Sequence, residues 1–101
     1  MKKLRAFYNG NDTLFAYDKE DALKVLEEYY GKGYLEDSED TVESLEEITN
    51  MEQSYSLYTE DMVKDPVFPE GGVKVGDSTI KASIGAWMKA IGRGLLGSEN
   101  Y

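Results

Sequence analysis

The chain has 101 residues, 20 of them acidic and 11 basic, for a formal net charge of −9, and it contains neither histidine nor cysteine. Without those two residue types there is no imidazole base, no thiolate nucleophile, no disulfide and no Cys/His zinc site. The length suits one domain with a real core, and 12% aromatic content with 8 tyrosines sets the chain apart from a disordered acidic tail.

Residues 3–8 alternate, with Leu4, Ala6 and Tyr8 on one side and Lys3, Arg5 and Phe7 on the other, which predicts a strand. Asn9-Gly10-Asn11-Asp12 tolerates a turn, and Thr13 to Tyr17 reads as the second strand of a β-hairpin. Asp18 is placed to cap a helix over 19–30, whose apolar stripe is Ala22, Val25, Leu26, Tyr29 and Tyr30. Gly31 and Gly33 can end it. Val42 and Leu45 serve as anchors of a strand running from residue 41 to about 47, followed by a turn or short helical piece near 48–53. A short helix capped by Ser44 with Glu47 as its capping-box partner is the other reading of that stretch.

Tyr55, Leu57 and Thr59 alternate with Ser54, Ser56 and Tyr58 as a clearer strand, and Asp65-Pro66, Phe68-Pro69 and Gly71-Gly72 mark an irregular connection. A short strand with a turn at Gly76-Asp77 is expected within Val73–Ile80. Ser83 can cap a second helix, Ile80, Ile84, Trp87, Met88, Ile91 and Leu95 form a helical stripe, and Gly92 ends the regular part. The tail from Gly94 to Tyr101 is expected to dock back on the body. These elements predict a single α+β domain over 1–101, a small mainly antiparallel sheet (the N-terminal hairpin plus one to three further strands) packed by two helices. No apolar run approaches the roughly 20 residues of a membrane span. Met1-Lys2-Lys3-Leu4 is not followed by the apolar stretch of a signal peptide, so a cytoplasmic protein is expected, and the sequon at Asn11 is read as chance.

Several motifs reduce to ordinary structure. Gly92-Arg93-Gly94-Leu95-Leu96-Gly97 satisfies G-x-G-x-x-G, but it follows a helix instead of joining a strand to one, so a helix end and tight tail is the better reading. Glu36-Asp37-Ser38-Glu39-Asp40 offers oxygens without the turn glycine of a calcium loop. Paired carboxylates need a cleft and a raised pKa before they act as acid and base. The stripe through Trp87, flanked by Lys81, Lys89 and Arg93, has the look of a membrane-surface helix, yet core packing explains it better in so acidic a chain. No enzyme activity, cofactor or metal is expected.

The charge distribution is the strongest functional signal. Ten of the 20 acids and none of the 11 bases lie between Glu36 and Asp61, which leaves ten acids and eleven bases for the rest of the chain. Such a run keeps a protein soluble, and it also suits a basic surface, since duplex DNA presents about one negative charge per 1.7 Å of axis. The expected partner-binding residues are Glu36, Asp37, Glu39, Asp40, Glu43, Glu46, Glu47, Glu60 and Asp61, with Tyr55 and Tyr58 as aromatic anchors. Tyr34 flanks the run as well. The expected partner is a host protein or complex with a basic groove. Direct contact with nucleic acid or membrane is not expected, because the phosphate backbone and anionic lipid repel this surface.

The opening hairpin leading through Asp18-Lys19-Glu20-Asp21-Ala22 into a helix, the acidic middle, and the ending Ala86-Trp87 followed by Gly92 to Tyr101 together resemble small hypothetical proteins of bacteriophages. The resemblance loosely spans the whole chain. It implies a phage or prophage accessory protein, and it carries over no catalytic residues. Inhibitors of bacterial defence systems, anti-CRISPR proteins among them, are similar in size, acidity and lack of cysteine. The expectation is therefore a DNA-mimicking inhibitor of a host nucleic-acid-handling or defence complex in the bacterial cytoplasm. The alternative is a phage structural or regulatory protein acting through an apolar surface or as a homodimer.

Overall fold

The computed structural model describes residues 3–34, 41–58, 68–76 and 78–98. Among them, β1 (Arg5–Tyr8) and β2 (Asp12–Ala16) form the opening hairpin, in the register Arg5↔Ala16 to Tyr8↔Thr13. Its loop is tied by Asn9, whose Oδ1 accepts from the backbone N–H of Asn11 at 2.9 Å and of Asp12 at 2.6 Å. Helix α1 (Lys19–Tyr30) begins where the Asp18 side chain accepts the Asp21 N–H, and it ends at Gly31, whose φ of 101° favours a residue without a Cβ.

β3 (Glu46–Ile48) adds to β1 and β7 (Gly94–Ser98) adds to β2, giving the antiparallel order β3-β1-β2-β7. β4 (Ser54–Tyr58), β5 (Val73–Val75) and β6 (Thr79–Ser83) form a second antiparallel sheet, ordered β4-β6-β5. β6 runs straight into helix α2 (Ile84–Ile91), because its last residue, Ser83, is also the cap and accepts from the Ala86 N–H.

The class is α+β. The strands exceed the hairpin plus one to three further strands read from the sequence, and they divide between two sheets. The reason lies in β2, which is buried along its whole length. One face of the four-stranded sheet packs Phe7, Leu14, Ala16 and Leu95 against Ala22, Val25 and Leu26 of α1. The other packs Ala6, Phe15 and Leu96 against Leu57, Ile80 and Ala82 of the second sheet and Ile84 and Trp87 of α2. The hairpin sheet is therefore the middle of three layers. Trp87 is fully buried and its Nε1 donates to the Tyr55 carbonyl at 3.0 Å, so the stripe on α2 is core.

Two local expectations change. The strand expected from residue 41 begins only at Glu46, because Ser44 diverts the backbone into a turn: its N–H and hydroxyl both reach the Thr41 carbonyl, while its Oγ accepts the Thr41 N–H. Leu45 is buried, whereas Val42 is exposed. The tail does dock on the body as far as residue 98, and it does so as a strand, β7. Within β7, Gly97 is needed for close approach: a Cβ there would lie 2.8 Å from Leu57 Cδ1 and 2.9 Å from the Tyr55 hydroxyl. The third glycine of the G-x-G-x-x-G pattern thus serves sheet-to-sheet packing. No helix among the described residues is long and apolar enough to cross a membrane.

Candidate functional site

Of the acids expected to bind a partner, Glu36, Asp37, Glu39, Asp40, Glu60 and Asp61 lie outside the described residues. Glu43 sits exposed in the turn before β3. Glu46 and Glu47 follow in β3, an edge strand, and strand alternation turns their side chains to opposite faces. Glu46 stands across from Tyr8 and shares a face with Ile48, toward the second sheet. Glu47 stands across from Phe7 on the α1 side.

Glu47 is also paired internally. Arg5, which lies over the Phe7 ring at 5.6 Å, donates from its guanidinium to the Glu47 carboxylate. This hydrogen bond holds Glu47 below the usual carboxylate range and raises Arg5. Glu43, Glu46 and Glu52 are exposed and make no ion pair among the described residues. Glu43, Glu46 and Glu47 therefore make a rim before and along β3 without sharing one flat face, and Glu52 lies in the turn before β4. Charges on such an edge also discourage other strands from pairing with it, which is their ordinary structural use.

The two tyrosines are separated in the same way. Tyr55 points inward beside Leu57 and packs on the core, while Tyr58 points outward and is 48% exposed. The bases also divide. Lys74, Lys81 and Lys89 are exposed on β5, β6 and α2. Arg93 is engaged elsewhere: it donates from Nε and NH2 to both Asp21 oxygens at 2.8–3.2 Å, and its NH1 is 2.9 Å from Glu28. Those bonds hold the Asp21 carboxyl below its ordinary value, helped by the Tyr17 N–H, and raise Arg93.

Among the described residues, two depressions stand out. A groove of about 520 Å³ lies at the start of α2, lined by Met51, Glu70, Ser83, Gly85, Ala86, Met88 and Lys89. The helix N-terminus offers little to an anion there, since the N–H groups of Ile84, Gly85 and Ala86 already donate to Gln53, Met51 and Ser83. A cleft of about 230 Å³ between the sheets is lined by Tyr8, Thr13, Ile48, Gln53, Tyr55 and Ile84. Neither depression brings two carboxylates together, and no group of three acids among the described residues is arranged to hold a metal ion.

One feature escaped the reading of the sequence. Tyr29 and Tyr30 fit the apolar stripe of α1, yet they are 49% and 43% exposed. With Tyr34 they make a ring cluster: Tyr29 meets Tyr30 edge-on at 4.8 Å, and Tyr30 stacks on Tyr34 at 4.5 Å. The signal for it was present in two adjacent tyrosines at the end of a helix, followed by Gly31.

No protein-family model matches the chain, no curated protein matches its sequence, and no solved structure matches its fold. The phage resemblance therefore rests on the residues quoted for it alone.

Proposed function

We propose that the chain is a non-enzymatic binding protein of the phage accessory type. On this reading it acts in the bacterial cytoplasm, where it inhibits a host nucleic-acid-handling or defence complex by occupying a basic groove. The observation that carries the reading is charge asymmetry. Half of the acids and none of the bases fall in residues 36–61, and the described members Glu43, Glu46 and Glu52 stand in solvent without ion pairs among the described residues. Uncompensated like charges oppose a compact chain, and a cationic partner turns that repulsion into attraction.

Capture of partners from a bacterial lysate, eluted by rising salt, tests this directly. The variant to compare is Glu43→Lys with Glu46→Lys, which spares the Arg5–Glu47 pair. The expected result is partner binding at least about tenfold weaker at low ionic strength, with the difference shrinking as salt screens it. Binding unchanged across the salt series overturns the proposal.

A second reading, self-association through an apolar surface, draws on β5. This short edge strand turns Val73 and Val75 outward, at 60% and 49% exposure. Sedimentation analysis separates the two: a tight dimer lost on Val73→Lys supports the second reading, and a monomer leaves the first.

A further inference from the structure

Two polar residues are buried among the described residues, and they are neighbours in β2. Asp12 is satisfied from within: its carboxylate accepts from the Tyr30 hydroxyl at 2.7 Å and from Asn9 Nδ2 at 3.2 Å. Thr13 is different. It is 2% exposed, yet its hydroxyl makes no hydrogen bond among the described residues. No polar side-chain atom among them is both sealed from solvent and without a partner, so this hydroxyl opens onto the cleft of about 230 Å³ that Thr13 lines. A valine would fill the position without burying a polar group, so the hydroxyl calls for a role outside packing.

The walls of the cleft are neutral and offer both halves of a hydrogen bond. Tyr8, across from Thr13 in the hairpin, and Tyr55, from the second sheet, add aromatic surface. Tyr55 comes close because Gly97, the residue opposite Thr13 in β7, has no Cβ. Gln53 is the exposed member of the lining. Its main chain is fixed on both sides, the N–H donating to the Asn50 carbonyl at 3.2 Å and the carbonyl accepting from the Ile84 N–H at 2.9 Å. Its side-chain amide makes no hydrogen bond among the described residues. Ile48 and Ile84 complete the lining, which among the described residues includes no charged side chain. Glu46, across from Tyr8 in β3, is the charged residue on the same row of the sheet.

The cleft is smaller than the roughly 300–1,000 Å³ of sites for drug-sized molecules, so it suits a single ring system. Tyrosine walls favour a flat ring. A side-chain amide sets a donor beside an acceptor, which matches the edge of adenine that carries N6 and N7. Neutral walls in a chain of net charge −9 disfavour a phosphate group. We propose that this cleft binds an uncharged adenine-type base, free or as its nucleoside, with the Thr13 hydroxyl and the Gln53 amide holding its polar edge. This site stands apart from the basic partner proposed above.

The test is an NMR titration of the full chain with adenosine up to about 10 mM, the scale on which a ligand of this size binds. Saturable shifts of the Thr13 and Gln53 signals are expected. Thr13→Val keeps the shape of the side chain, and it is expected to weaken adenosine binding about three- to tenfold without lowering the melting midpoint, since no internal bond is lost. Gln53→Leu, at an exposed position, is expected to weaken binding by a similar factor. Inosine, which lacks the N6 donor, and adenosine monophosphate, which adds charge, are each expected to bind more weakly than adenosine. Absence of saturable shifts, or adenosine binding that survives either substitution unchanged, overturns the site. Inosine or adenosine monophosphate binding as tightly as adenosine overturns the assignment of its ligand. None of these results alters partner capture by Glu43→Lys with Glu46→Lys, so the two proposals fail separately.

Discussion

Gly97 shows how much a single missing methyl group does here. Its strand crosses the second sheet so closely that any Cβ meets Leu57 and Tyr55 below van der Waals distance. Both are side-chain ends, but Leu57 is buried and Tyr55 half-buried, so neither has open space to move into. Gly97→Val should destabilise the fold by about 1–3 kcal/mol through overpacking, read as a lower denaturant midpoint with an unchanged slope. Asp21 is a second pivot. It accepts from Arg93 and from the Tyr17 N–H, linking the start of α1 to the residue before β7. Losing those charge-assisted bonds in Asp21→Ala should cost about 1.5–3 kcal/mol at neutral pH. Because its pKa is lowered in the folded state, the contribution is complete above the unfolded value of about 3.9 and is lost as pH falls through the lower folded value. The gap in stability between wild type and Asp21→Ala should therefore hold from neutrality to about pH 4 and close below it, as chemical denaturation at stepped pH would reveal.

Within an element, alternation decides what neighbouring charges can do together. Glu46 and Glu47 are adjacent in the chain, yet β3 sends one toward the second sheet and the other toward α1 and Arg5. Glu46→Lys and Glu47→Lys change the net charge equally, so a difference between them isolates the pairing. Glu46→Lys should stay within roughly 3 °C of the wild-type melting midpoint. Glu47→Lys should fall below it, since a second cation then faces Arg5. Helix α2 follows a similar logic: its length is set by local bonds, but its apolar stripe becomes core only because β6 delivers it beneath the four-stranded sheet.

For the molecule as a whole, a net charge of −9 on 101 residues is self-repulsive. Three of the exposed lysines sit on the second sheet and α2, while Glu43 and Glu46 lie just before and on β3 and Glu52 in the turn before β4. Raising salt from about 10 to 150 mM shortens the screening length from about 30 to 8 Å. The melting midpoint should then rise by on the order of a few degrees. A fall would mean that attractive pairs such as Arg93–Asp21 outweigh the repulsion.

Much of the fold was legible from neighbours in the chain. The hairpin, the span of α1 with its Asp18 cap, the Ser83 cap and the glycine ends all depend on bonds spanning about four residues or on a backbone torsion at one residue, and such terms are written locally. The site was legible only as a count of charge. Period-two alternation separated Glu46 from Glu47 and Tyr55 from Tyr58, but those directions acquire meaning only when each strand has a sheet on a known side. The burial of β2 on both faces, the Gly97 contact, the Tyr30–Asp12 bond and the pairing of Arg93 with Asp21, 72 residues away, follow from how three layers stack. Nothing within a few residues of any of these groups encodes its partner, because the energy that selects the pairing is the burial of apolar surface between layers.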